Sequence, residues 1–189
     1  MSHPTPDSQP PSLLDELPGD VMMWVLIVSE LLIFGAGLLA FLSVRITDPI
    51  GFSEAQSHLH RTGAAINTII LITSGYLVAQ ACRWRAETHR RAARMALIGA
   101  ALLGCVFLVI KGVEYADKAA QGINYDTHPF FMFYYLLTGF HAAHVIAGVF
   151  LLLLVAWRDS VENIELGAMF WHMVDLVWVL LFPVVYLLA

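Results

Sequence analysis

The chain has 189 residues, of which 59% are hydrophobic and only 13% charged, with a mean hydropathy of +0.72. A water-soluble domain needs far more charge to cover its surface, and a disordered chain needs less apolar content. The ten Lys and Arg against fifteen Asp and Glu leave a net charge of −5, which excludes a nucleic-acid binder, and an integral membrane protein remains.

Residues 1–20 contain five prolines and no Lys or Arg. A secretory signal would open with basic residues followed by an apolar stretch. The segment reads instead as a disordered Pro-rich tail ahead of a transmembrane domain at 21–189. Five apolar runs follow, at 21–44, 63–82, 95–115, 130–157 and 167–189. Each approaches or exceeds the roughly 20 residues that a membrane helix needs. None alternates with the period of two expected of a membrane barrel strand. The fold class is therefore an all-α, five-helix membrane bundle. The remaining loops are too short for a soluble domain, so any function belongs inside the bilayer or in a partner.

The first run carries Glu30, nine residues in and roughly 14 Å deep at 1.5 Å per residue. No charged residue stands one turn away, and burial favours the neutral acid. Its bland reading is an interhelical hydrogen bond; its functional reading is a protonatable site. The second run places Asn67, Ser74 and Gly75 on one small polar face suited to close helix packing. Its exit is basic, with Arg83, Arg85, Arg90, Arg91 and Arg94. In the third run, Lys111 and Glu114 form an i,i+3 pair near the outer end, where the long Lys side chain can reach the interface. The fourth run holds His141 and His144 beside a stripe of Tyr134, Thr138, Val145 and Gly148. Small and polar residues in such a stripe face other helices rather than lipid. The fifth holds His172 and Asp175, three apart, with Trp171 and Trp178 two turns apart and Pro183 near its end.

Glu30, the His141/His144 face and Asp175 all fall near mid-depth, so a buried polar cluster of Glu30, His141, His144, His172 and Asp175 is expected. Bis-His haem ligation would need two histidines on facing helices at one depth, such as His141 and His172. A dinuclear metal site would need paired Glu-x-x-His, which no span contains. Structural hydrogen bonding is therefore the preferred reading, and no metal site is assigned. The basic loops at 83–94 and 158–166 outweigh Arg45, Arg61, Lys111 and Lys118 on the other side. The positive-inside rule then places the N-terminus in the cytoplasm. Trp24, Trp84 and Trp157 sit at span ends, as interface anchors do.

Five stretches, in order, resemble subunit III of haem–copper oxidases. They are LPGDVMMWVLIVSELLIFGAGLLAF at 17–41, INTIILITSG at 66–75, LGCVFLVIKGVEY at 103–115, YYLLTGFHAAHVIAGVFLL at 134–152 and FWHMVDLVWVLLFPVVYLL at 170–188. The resemblance covers nearly all of 17–189. It implies a non-catalytic accessory subunit of a respiratory oxidase in a bacterial inner membrane. Such a subunit supports the assembly, stability and proton supply of a haem-bearing catalytic partner in aerobic electron transport. Haem and copper would then lie in partner subunits, with no redox cofactor in this chain and phospholipid bound along its helices. Glu30 matches the family's carbodiimide-reactive intramembrane carboxylate. Asn67, Thr68, Ser74, Lys111, Glu114 and Thr138 would pack helices or face the partner. The long form of the family has seven helices, and this chain lacks the counterparts of the first two, between which and the rest lipid is held. Lys111 stands where many oxidase members have Gln. Five-helix forms resemble subunit III of quinol oxidases and the accessory subunit of nitric oxide reductases, so a role in denitrification is the alternative. Two readings of other classes are a di-haem membrane cytochrome using His141, His144 and His172, and a small proton-coupled transporter with Glu30 as its carrier.

Overall fold

The computed structural model describes residues 21–158 and 160–188; the tail expected at 1–20 lies outside them. Among the described residues all regular structure is helical. The helices are α1 (Val21–Thr47), α2 (Pro49–Ser57), α3 (Arg61–Ala86), α4 (Arg90–Ala120), α5 (Pro129–Arg158) and α6 (Val161–Phe182). A π-helical turn, Pro183–Leu187, continues α6. Five helices are long and apolar enough to cross a membrane: α1, α3, α4, α5, and α6 with its π turn. The chain is a multi-pass membrane protein.

Helices α3 to α6 close a four-helix unit in which α3 and α5 each pack on both α4 and α6. Alanines are frequent among the buried residues of α3 and α4: Ala64, Ala81, Ala93, Ala96, Ala100 and Ala101. Without a hydrophobic drive between helices in lipid, small residues gain their contact energy by letting backbones approach. Two glycines do the same for one large side chain. A Cβ on Gly104 would lie 2.7 Å from the Trp171 indole, and one on Gly148 would lie 2.7 Å from two of its ring carbons. The fully buried Trp171 is thus slotted between α4 and α5. Helix α1 lies outside this unit against α5 and α6, burying only Phe34 and Phe41 among its residues. Its apolar residues Val25, Leu32, Ile33 and Leu39 are exposed, as a lipid-facing surface requires.

The helices run further than the apolar runs. Helix α4 begins at Arg90 rather than near 95, and the basic connection between α3 and α4 shrinks to residues 87–89. Hydropathy marks the extent of the hydrocarbon, whereas hydrogen-bond closure sets where a helix stops. At that stop the Thr88 and His89 amides return to the Arg85 and Trp84 carbonyls (3.1 and 2.8 Å). This Schellman geometry needs a left-handed residue, and Thr88 supplies it at φ 68°. The end of α4 repeats the motif with Gly122 at φ 73°. The short α2 was not anticipated from the sequence. Its cap is Asp48, which accepts the Gly51 amide (3.1 Å), with Pro49 in the first turn. Pro183 offers no amide to the α6 ladder, and the Leu188 amide instead returns five residues to the Pro183 carbonyl (3.0 Å).

Candidate functional site

Glu30 on α1 meets His144 on α5, with Oε2 and Nε2 3.2 Å apart and both side chains largely buried. The other ring nitrogen, Nδ1, lies 2.9 Å from the Phe140 carbonyl. A carbonyl oxygen only accepts, so Nδ1 carries a proton. Glu30 Oε2 is buried and its approach to Nε2 does not meet hydrogen-bond geometry, so the two groups are in close contact without a hydrogen bond. Phe34, Phe140 and Phe170 pack around the His144 ring at 5.6, 4.6 and 6.4 Å between centroids.

His141, one turn earlier on α5, points into the four-helix core. Its ring is fully buried and stacks on Trp178 (5.2 Å, 29°), with the edges of Phe107 and Phe34 closing other sides. Neither of its ring nitrogens has a hydrogen-bond partner. His172 and Asp175 on α6 approach only to 3.9 Å, and His172 is half-exposed. Asp175 occupies the notch at Gly75 of α3, where an added methyl would overlap its Oδ2. The five residues expected in one cluster are thus divided. Glu30 and His144 meet between α1 and α5, His141 packs against aromatic rings in the core, and His172 with Asp175 borders α3. Residues three apart on a helix differ by 60° in direction, which is enough to aim His141 and His144 at different neighbours.

Lys111 requires a correction. The sequence places it at the outer edge, reaching for the interface; in the structure it is 2% exposed. Its Nζ donates to Glu114 Oε2 (2.9 Å), Tyr186 Oη (2.7 Å) and Tyr134 Oη (3.2 Å). The rings of Tyr115, Tyr134, Trp178 and Tyr186 surround the ammonium at 4.9–5.6 Å. The Tyr186 hydroxyl also donates to Glu114 (3.1 Å to Oε1). Cation–π faces and hydroxyls replace the water that snorkelling would have sought. Nearby, His60, at the N-cap of α3, and Asp117 on α4 make an exposed pair (3.0 Å).

The remaining polar residues of the spans tie helices together. Ser74 donates to the Ala100 carbonyl (3.0 Å) and accepts the Trp171 indole N–H (3.1 Å). Thr68 accepts the Trp178 indole N–H (3.0 Å), and the Tyr115 and Thr138 hydroxyls lie 2.6 Å apart. Asn67 is fully buried, with neither amide atom partnered. Among the described residues, no three of His, Cys, Asp and Glu converge as metal ligands would.

The model of the family described as cytochrome c oxidase subunit III matches residues 19–189. The chain belongs to that family. Cytochrome c oxidase subunit 3 of Corynebacterium diphtheriae is 32% identical to it over 178 residues, covering 86% of this chain and 84% of the relative. The corresponding protein of Thermostichus vulcanus is 30% identical over 178 residues, covering 87% and 85%. A haem–copper oxidase subunit I+III of Aeropyrum pernix is 31% identical over 180 residues, covering 87% of this chain, which spans only 22% of that longer protein.

Within this subunit III chain, the aromatic box around Lys111 is what the sequence hid. Tyr186 lies beyond Pro183, where the hydrophobic period gives no phase. It stands in the π turn, and its hydroxyl accepts from Lys111 Nζ (2.7 Å). Gln56 of the unanticipated α2 then holds that turn from outside, donating to the Val185 carbonyl (2.9 Å).

Proposed function

We propose that the chain is a non-catalytic accessory subunit of a haem–copper oxidase, packing against the haem-bearing catalytic subunit in a bacterial inner membrane with its N-terminus in the cytoplasm. The subunit III family match over 19–189 carries this reading. The Aeropyrum pernix relative supports the choice of partner, because its name joins subunits I and III in one protein. Haem and copper belong to the partner. The chain's own contribution is a rigid four-helix unit with α1 attached through few large contacts. The close approach of Glu30 to His144 joins α1 to α5 at membrane depth. Its role is to fix packing and to support proton supply near the partner. Phospholipid fits the apolar grooves beside α1. One is a cavity of about 250 Å³ lined by Phe34, Gly37, Leu136 and Phe140. Another, of about 420 Å³, has Arg45 placed for a headgroup beside Leu42 and Ile46.

The test is an oxidase purified with and without this chain. The depleted complex keeps its haem spectrum and initial turnover but loses assembly yield or thermal stability. Loss of haem in proportion to the chain removed would contradict the assignment.

A further inference from the structure

Among the described residues, Asn67 and His141 of the four-helix core have every side-chain polar atom unpartnered. Both amide atoms of Asn67 and both ring nitrogens of His141 are without a hydrogen-bond partner, and both residues are 0% exposed. They come from α3 and α5, which stand diagonally across the unit. They also share a level, which Trp178 marks. Thr68, the neighbour of Asn67, accepts the Trp178 indole N–H, and the His141 ring stacks on the same indole. Lys111 Nζ lies 5.6 Å from the centroid of that indole as well.

Between α3 and α4 lies a cavity of about 350 Å³ lined by His60, Gly63, Ile110, Val113, Glu114 and Asp117. The His60–Asp117 pair stands at its exposed side. Its inner wall includes Glu114, the carboxylate bonded to Lys111. Gly63 is one helical turn from Asn67 on the same face of α3 and has no side chain to obstruct that turn.

We propose that the core between Asn67 and His141 is an internal water site, filled through the cavity at His60 and Asp117. Asn67 offers two donors and an acceptor, and a neutral imidazole offers one donor and one acceptor. A buried water makes about three hydrogen bonds to groups of this kind, and polar cavities hold water where apolar ones stay dry. Water bridging α3 to α5 satisfies both side chains at once and brings a mobile hydrogen-bonding partner to the Lys111–Glu114 pair. The site is a property of this chain and stands whichever catalytic subunit it joins.

The experiment is a density map of the purified assembly, at a resolution that shows ordered water, for the wild type and for Asn67→Leu. The expected wild-type result is density at hydrogen-bond distance from both the Asn67 amide and a His141 ring nitrogen. Asn67→Leu removes that density, while Asn67→Ser, which leaves room, retains it. A map in which the Asn67 amide bonds directly to His141 or Lys111 overturns the proposal. So does a map in which the space is empty. Where Asn67→Leu fails to assemble, the wild-type and Asn67→Ser maps decide.

Discussion

Replacing Lys111 by Met removes one partner of a buried ion pair and keeps most of its volume. The loss falls on Glu114, whose side chain is 6% exposed and whose remaining partner is the Tyr186 hydroxyl. Truncating one member of a buried, hydrogen-bonded pair costs about 3–5 kcal/mol, because the other charge stays in low dielectric. Here three donated bonds go at once, together with four aromatic faces around the ammonium. For a domain of this size that corresponds to a drop in melting temperature on the order of 10 °C. The double variant Lys111→Met/Glu114→Leu leaves no uncompensated charge, and apolar replacement of a whole pair is often neutral, so its melting temperature recovers most of the loss. Thermal unfolding of the purified chain in mild detergent, followed by the fraction remaining monodisperse, measures both variants. A single substitution costing less than about 1 kcal/mol, or a double variant weaker than the single one, would refute the buried-pair account.

Glu30→Gln keeps a hydrogen-bonding side chain between α1 and α5, and interhelical bonds in membranes average about 0.6 kcal/mol. Complex stability and turnover therefore fall only modestly, as measured by melting temperature and oxygen consumption; loss of all turnover in an intact complex would count against a supporting role. Gly148→Ala sets a methyl 2.7 Å from two carbons of the enclosed Trp171 ring, and such overpacking costs about 1–3 kcal/mol, read as lowered thermal stability. At the aqueous end, the Gly51 amide and then the His128 ring hold the Asp48 carboxyl below the usual carboxylate range. The stability this adds is complete above the ordinary carboxyl pKa of about 3.9 and is lost as pH falls through the lower folded value. The melting-temperature gap between wild type and Asp48→Asn is then constant at neutral pH and narrows in acid; a gap that widens in acid would reverse the assigned sign.

The five spans were legible because membrane helices are announced by composition alone, and the stripe of Tyr134, Thr138, His141, Val145 and Gly148 is buried as its spacing implies. Partner choice was not legible. His141 and His144 sit on one broad face, yet one stacks on Trp178 of α6 and the other meets Glu30 of α1. That division depends on where α1 docks, which no local pattern encodes. Lys111 misled for a related reason. Position along a span gives depth, but an ammonium near the membrane edge turns inward when neighbouring helices supply a carboxylate, two hydroxyls and four rings. Helix α2 escaped notice because nine residues opened by Asp48 and Pro49 carry a capping signal without apolar length.

The central claim is the partner. Affinity purification of the tagged chain from native membranes in mild detergent, with the co-purifying chains identified by mass spectrometry, tests it most directly. The account predicts the catalytic subunit of a haem–copper oxidase at a fixed ratio to this chain. Recovery of a nitric oxide reductase catalytic subunit instead, or of no haem-bearing partner, would contradict it.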